Sequence, residues 1–160
     1  MATEVDTSTL GGTSRSGVIS TLVATVATGA NQTETDLFTY TFPTSAFISS
    51  SAAIRLRFWY VTGANSNLKT IKVYFGGTVV ATRAVADNAL TWNWSTHILR
   101  VASNSQIAFT NRSSSSASAD EISTTAITES TAIIIKVTGQ NGASVASDIS
   151  LRGAVLEFLQ

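Results

Sequence analysis

The sequence predicts an all-β fold, an antiparallel β-sandwich behind an extended N-terminal arm, and two observations carry that expectation. Serine and threonine supply 46 of the 160 residues, with one Pro and no cysteine, a makeup that suits strands and hydroxyl-lined loops. Past the first 17 residues the chain breaks into short runs of β-branched and aromatic residues, split by Gly, Asn and Ser at the spacing of a sandwich. No convincing helical period interrupts them. A single domain of this length buries roughly 70% of its unfolded surface, so residues 18–160 read as one sandwich and 1–17 as the arm.

The arm is polar and punctuated by Gly11, Gly12 and Gly17, and it holds too few apolar side chains to fold alone. It is expected to lie against the body, a sister subunit or another protein, with Thr3, Val5, Leu10 and Arg15 as contact residues.

Ten strands follow in order: 18–28, 36–42, 52–62, 68–75, 78–84, 91–102, 106–111, 122–125, 131–139 and 145–159. In 52–62 alternation puts Ile54, Leu56, Phe58 and Tyr60 on one face, the core, and Arg55, Arg57, Trp59 and Val61 on the other. Between 68–75 and 78–84 stands Gly76-Gly77, which supplies the positive φ angles of a two-residue type I′ turn. Closing the hairpin there pairs Phe75 with Thr78, Val73 with Val80 and Ile71 with Thr82, with the Ile71, Val73 and Phe75 face buried. In 131–139 the residues Ile133, Ile135 and Val137 point inward while Lys136 and Thr138 face away. The final run is apolar in both phases, as for a strand covered on each side. The tract 113–121 is Ser-rich and reads as a mobile loop. No repeat of 20 to 50 residues occurs, which argues against a solenoid or propeller.

Ten basic and ten acidic residues give zero formal charge, so no long-range field draws in nucleic acid or anionic lipid. With only 12% charged residues, little repulsion holds copies apart, and self-association is easy. The first residues show no basic and apolar secretion signal, and no apolar run reaches the 18 or so residues of a spanning helix. Nucleic acid and membrane are therefore not expected as partners.

Groups that carry catalysis are sparse. His97 is the single histidine, without metal-ligand spacing around it, and reads as structural. Asp120, Glu121 and Glu129 are the densest carboxylates in the second half; paired carboxylates hydrolyse glycosides, but beside a Ser-rich loop they read as a solvated acidic cap. Asp87 and Asn88 offer oxygen ligands of the kind that hold Ca²⁺, without the spacing of an EF-hand loop. No G-x-S-x-G elbow or phosphate-cradling glycine motif is present. The expectation is a chain with no catalytic residues, no metal site and no cofactor.

Trp59, Trp92 and Trp94, with Arg55 and Arg57, form the cluster of most interest. Three readings stand open for it: core packing, a protein interface, since Arg and Trp are enriched at hot spots, and stacking on sugar rings.

The segments TDLFTYTFPTSAF, GANSNLKTIKVYFGGTVV and LTWNWSTHILRVASNSQIAF, within residues 36–109, resemble a pattern recurrent among virion proteins of tailed bacteriophages. In that pattern a K-T-x-K-V-x-F-G-G-T hairpin, here 69–78, is followed by a Trp-containing strand and an I-x-R-x-x-x-x-S-Q segment, here 98–106. This chain departs from it after the Trp strand, where Arg-Val-Ala-Ser-Asn stands in place of a glycine-containing turn. The resemblance implies a jelly-roll-like sandwich serving as a capsid decoration or cement protein, a head fibre or a tail-associated piece, commonly a trimer, and it assigns no catalytic residue. The leading expectation is a decoration protein on the virion's outer capsid surface, assembled in the host cytoplasm, gripping the major capsid protein as a homotrimer through the arm, Arg55, Arg57 and Trp59. The alternative is a fibre-tip or receptor-binding module that holds host polysaccharide with Trp59, Asn65, Asn67 and Trp92.

Overall fold

The computed structural model describes residues 17–159, and the contact residues expected in the arm lie outside them. Eleven strands are present among the described residues: β1 (Gly17–Leu22), β2 (Val26–Ala27), β3 (Thr35–Phe42), β4 (Ala53–Thr62), β5 (Lys69–Phe75), β6 (Thr78–Val85), β7 (Thr91–Ala102), β8 (Ser105–Ser114), β9 (Ser118–Thr125), β10 (Ile133–Asn141) and β11 (Ile149–Leu159). No helix occurs among the described residues, so none is long and apolar enough to cross a membrane.

One sheet runs β1-β11-β4-β7-β8-β9, with β2 also paired to β11; the other runs β3-β10-β5-β6. Every pairing is antiparallel. The facing orders β1-β11-β4-β7 and β3-β10-β5-β6, with the chain passing back and forth between them, are those of a jelly roll. The β8–β9 hairpin is an addition that widens the larger sheet.

The core lies between the sheets because alternation supplies one apolar face per strand. Ile54, Leu56, Phe58 and Tyr60 of β4 are buried, as are Ile71, Val73 and Phe75 of β5 and Ile133, Ile135 and Val137 of β10. Phe47, from the β3–β4 connection, closes one end with edge-on contacts to Phe75 and Phe158.

Gly76 and Gly77 have φ of 57° and 85° and close the β5–β6 turn as expected. The register beyond it differs. Phe75 pairs with Thr78 and Tyr74 with Val79, but Val73 pairs with Ala81 and Ile71 with Arg83. A bulge at Val80 inserts the extra residue, so that Val80 and Ala81 both point into the core while Thr82 is exposed. A simple alternation cannot anticipate that.

Other expectations are corrected in detail. The 18–28 run is two strands, β1 and β2, and the last strand begins at Ile149. Thr138 does share the outward face with Lys136, yet it is buried because Glu34 folds over it and accepts its hydroxyl at 2.6 Å. The 113–121 tract is not a loop throughout. Its residues pair from Ser113 with Ser118 to Asn111 with Asp120, and Ser114 Oγ accepts the N–H groups of Ser116 and Ala117 at 3.2 and 3.1 Å. Serine chemistry there builds a hairpin turn. At the β7–β8 turn, where glycine is missing, Asn104 takes the positive φ of 52°, a conformation Asn tolerates.

Candidate binding face

The ionisable groups singled out in the sequence are engaged in the framework. Glu129 is buried and accepts hydrogen bonds from Arg100 Nε at 2.9 Å and Gln106 Nε2 at 2.7 Å. Burial opposes its ionisation, but those bonds outweigh it and hold the carboxyl below its usual range. It is no solvated cap; it pins the 126–132 segment to the β7–β8 turn. Glu121 pairs with Arg112 at 3.0 Å, and Asp120 accepts from Asn111 Nδ2 at 2.6 Å. Asp87 is buried against Arg83 at 2.9 Å, and that guanidinium sits 3.9 Å from the ring centre of Trp92. Among the described residues no group of three or more His, Cys, Asp or Glu side chains is placed to hold a metal ion.

The tryptophans separate by strand phase. Trp92 and Trp94 point into the core, 1% and 2% exposed, Trp94 packing on Phe58 and Tyr60. Trp92 is therefore removed from the expected glycan-binding set: β7 turns its even positions inward. Asn65 and Asn67 are also removed. Their side-chain amides donate to the buried carboxylate of Asp148, while Asn65 Oδ1 and the backbone carbonyls of Asn65 and Asn67 accept from the fully buried Lys69 Nζ at 2.9 to 3.0 Å. A buried ammonium needs such partners, so these asparagines serve the fold.

Arg55, Arg57 and Trp59 stand together on the outer face of the larger sheet, as alternation predicts. Antiparallel register arranges that face in rows. One row runs Glu157, Arg55, His97, Phe109, Ile122; the next runs Val155, Arg57, Ser95, Asn111, Asp120; a third runs Gly153, Trp59, Asn93, Ser113, Ser118. Arg55 forms a two-pronged bond with Glu157, 2.6 Å from Nε and 3.0 Å from Nη2, which holds the Glu157 carboxyl below its usual range. His97 takes a hydrogen bond with Ser95 Oγ at 3.2 Å, and partial burial with the neighbouring Arg55 charge lowers its pKa.

The face has two halves. Toward the β7–β8 turn it is apolar, with Leu99 (43% exposed), Phe109 (40%) and Ile122 (66%). Beside it lies a cleft of about 200 Å³ lined by Arg57, Trp59, Asn93, Ser95, Asn111 and Ser113. Sequence reasoning reached Arg57 and Trp59 but missed the rest, since they come from strands far apart in the chain. The one local signal was the phase of 91–102, which sets Asn93 and Ser95 opposite Trp92 and Trp94.

Trp59 owes its posture to Gly153. A β-carbon at 153 would lie 2.5 Å from Trp59 Cζ2 and 2.9 Å from both of that atom's ring neighbours, Cε2 and Cη2. A point above the ring face has that pattern; a point in the ring plane would be much farther from the two neighbours. One face of the indole thus rests on the glycine, and 40% of the residue remains open to solvent.

No protein-family model matches this chain, and comparison with curated proteins finds no match. Solved structures similar to it include the C-terminal domain of EclA, a sugar-binding protein, at 7% identity over 91% of this chain and 79% of that one, with a TM-score of 0.43. A protein of unknown function from Shewanella oneidensis MR-1 shares 9% identity over 99% of this chain and 85% of the other, with a TM-score of 0.48. A chain of infectious bursal disease virus, Gt strain, shares 17% identity over 91% of this chain but only 33% of its own length, with a TM-score of 0.37. Values this low assign no function.

Proposed function

We propose that this chain is a structural virion protein, a decoration or cement protein on the outer capsid surface of a tailed bacteriophage, acting as a homotrimer with the major capsid protein as partner. The observation that carries the reading is the exposed apolar half of the outer face, where Phe109 and Ile122 pair across β8 and β9 and the exposed Leu99 stands one row away on β7. Such a patch marks an interaction surface. The virion assignment draws on the bacteriophage-like pattern of residues 69–78 and 98–106, and the jelly roll is an architecture that capsid proteins use. A binding role is favoured over catalysis because Glu129, Glu121, Asp87 and His97 are each spent on framework contacts.

The mechanism is mechanical. Each copy buries its apolar patch on a joint between capsid subunits, and a contact available only in the assembled shell stabilises that shell by mass action. Trimerisation multiplies the effect through effective concentration.

The test is co-sedimentation of purified protein with capsids lacking it, alongside light scattering for the oligomeric state. The wild-type chain should saturate the shell, and a variant carrying Phe109→Asp and Ile122→Asp should stay in the supernatant. Full occupancy by a correctly folded double variant, or no occupancy by the wild type, removes the reading. A patch consumed in forming the trimer, seen as dissociation of the variant to monomers, would reassign the patch to self-assembly and equally overturn it.

A further inference from the structure

We infer that the Trp59 cleft is a binding site for an acidic saccharide, a sugar chain carrying carboxylate groups. The inference is independent of the capsid assignment, since it concerns the polar half of the outer face.

Three features of the cleft converge on that ligand class. The first is the platform. A sugar ring presents a flat patch of C–H bonds to an aromatic face, and the Trp59 indole rests one face on Gly153 while 40% of the residue stays open to solvent. Here the backbone of β11 supports one side because position 153 has no side chain, and the register shift between Leu151 and Gly153 places that glycine opposite Trp59.

The second feature is the supply of uncommitted polar groups. In the row Trp59, Asn93, Ser113 the neighbouring strands place an amide and a hydroxyl beside the indole. Neither the Asn93 amide nor the Ser113 hydroxyl has a hydrogen-bond partner among the described residues, and both line the cleft. At the usual strand spacing the row spans about 10 Å from Trp59 to Ser113, enough for a short oligosaccharide lying across the strands. Amides and hydroxyls beside an aromatic anchor are what a polyhydroxylated ligand needs, because its hydroxyls both donate and accept.

The third feature sets the charge. Arg57 stands one row away, next to Ser95 and Asn111. Arg55 is locked to Glu157, Arg83 to Asp87, Arg100 to Glu129 and Arg112 to Glu121. Arg57 is exposed, lines the cleft and carries no ion pair among the described residues. An unpaired guanidinium presents a planar fork matched to carboxylate. The Asp120 carboxylate accepts from the Asn111 amide and stands three strands from Arg57 in the same row, so Arg57 is the nearer charge to the indole. The cleft thus combines a stacking surface, neutral hydrogen-bonding groups and one free cation.

Calorimetric titration with a panel of uronate oligosaccharides (oligogalacturonate, oligoglucuronate and a hyaluronan tetrasaccharide), each paired with its carboxyl-reduced neutral form, tests this. At least one acidic member should bind saturably with quenching of the exposed tryptophan, and its neutral form should bind at least tenfold more weakly. Trp59→Ala should abolish binding. Arg57→Gln should erase the preference for the acid while leaving residual binding of the neutral form. Since Trp59→Ala removes a ring that packs on β11, Asn93→Asp provides a second route: it keeps the fold and sets a negative charge beside the platform, and should weaken the acidic ligand tenfold or more. A flat response across the whole panel, equal affinity for acid and neutral forms, or unaltered binding in both Trp59→Ala and Asn93→Asp would overturn the inference.

Discussion

The backbone N–H of Thr82, on the free edge of the smaller sheet, donates to the carboxylate of Glu121 on β9 at 3.2 Å. The carbonyl of the same residue accepts from Arg112 Nη1 at 2.6 Å, and the Val80 carbonyl accepts from Ser123 Oγ at 2.7 Å. Side chains of the β8–β9 hairpin therefore occupy the hydrogen-bonding positions that a further strand would take on β6. An open edge is a template for pairing with another chain, and this edge is sealed from within. Replacing Glu121 and Arg112 together by Ala should cost about 0.5–1.5 kcal/mol for each hydrogen bond lost, because the freed Thr82 groups are exposed and rehydrate. It should also raise time-dependent light scattering. Chemical denaturation and scattering at matched concentration check both; a variant as stable and as monodisperse as the parent would show that the seal is incidental.

The two turn glycines should respond differently to alanine. Gly76 has φ of 57°, and a β-carbon there would lie 2.3 Å from Ile127 Cγ2, whereas Gly77, with φ of 85°, opens on empty space. Gly77→Ala should cost about 1–2 kcal/mol for the left-handed conformation alone. Gly76→Ala adds about 1–3 kcal/mol of overpacking against Ile127. Urea melts of both variants read the difference, and Ile127→Ala combined with Gly76→Ala should recover part of it.

Gly153→Ala should push Trp59 off β11 at a cost of about 1–3 kcal/mol. Because the indole face rests on that position, iodide quenching of the exposed tryptophan should rise in the variant, while the buried Trp92 and Trp94 stay shielded. Unchanged quenching would mean that Trp59 does not need the glycine.

Glu34 provides a pH signature. Burial opposes its ionisation, but hydrogen bonds from Lys72, Thr138 and Tyr74 prevail and bring its pKa from 4.5 down to about 2. The folded form thus binds its proton more weakly than the unfolded form does. The stabilisation is complete above pH 4.5 and fades as pH falls toward about 2. With the side chain 28% exposed, solvent screening limits it to about 1 kcal/mol. Glu34→Gln should lower stability at pH 7 and flatten the acid side of the profile over that window; an acid limb parallel to the parent's would assign the pH dependence to other carboxylates.

Glu129→Ala should be the most damaging of these changes, about 3–5 kcal/mol, because it strands Arg100 beside a buried vacancy. Glu129→Gln keeps the size and the Gln106 contact and should cost less. Thermal melts rank the two, and equal effects would place the loss in packing alone.

Much of this architecture was legible before any tertiary information. In β4 the alternation of Ile54, Leu56, Phe58 and Tyr60 with Arg55, Arg57 and Trp59 named both faces correctly, and Gly76-Gly77 named its turn. Side-chain direction along a strand has a period of two residues and is a local property, so a single segment carries it. Composition likewise pointed to strands in place of helices.

What segment-level reading could not reach depends on contacts between distant strands. The bulges at Val80 and before Gly153 shift the register, and only the partner strand reveals them. Glu129 looks like a surface acid until Arg100 and Gln106, 29 and 23 residues earlier, close around it. Asn65 and Asn67 look like free amides until Lys69 and Asp148 are buried beneath them. The Trp59 cleft is the clearest case: Trp59, Asn93, Ser113 and Gly153 lie on four strands and meet only because pairing order sets β11, β4, β7 and β8 side by side. Local pattern determines which way each residue points. Long-range pairing decides what it points at, because that choice is set by the burial of the whole core and not by any one strand.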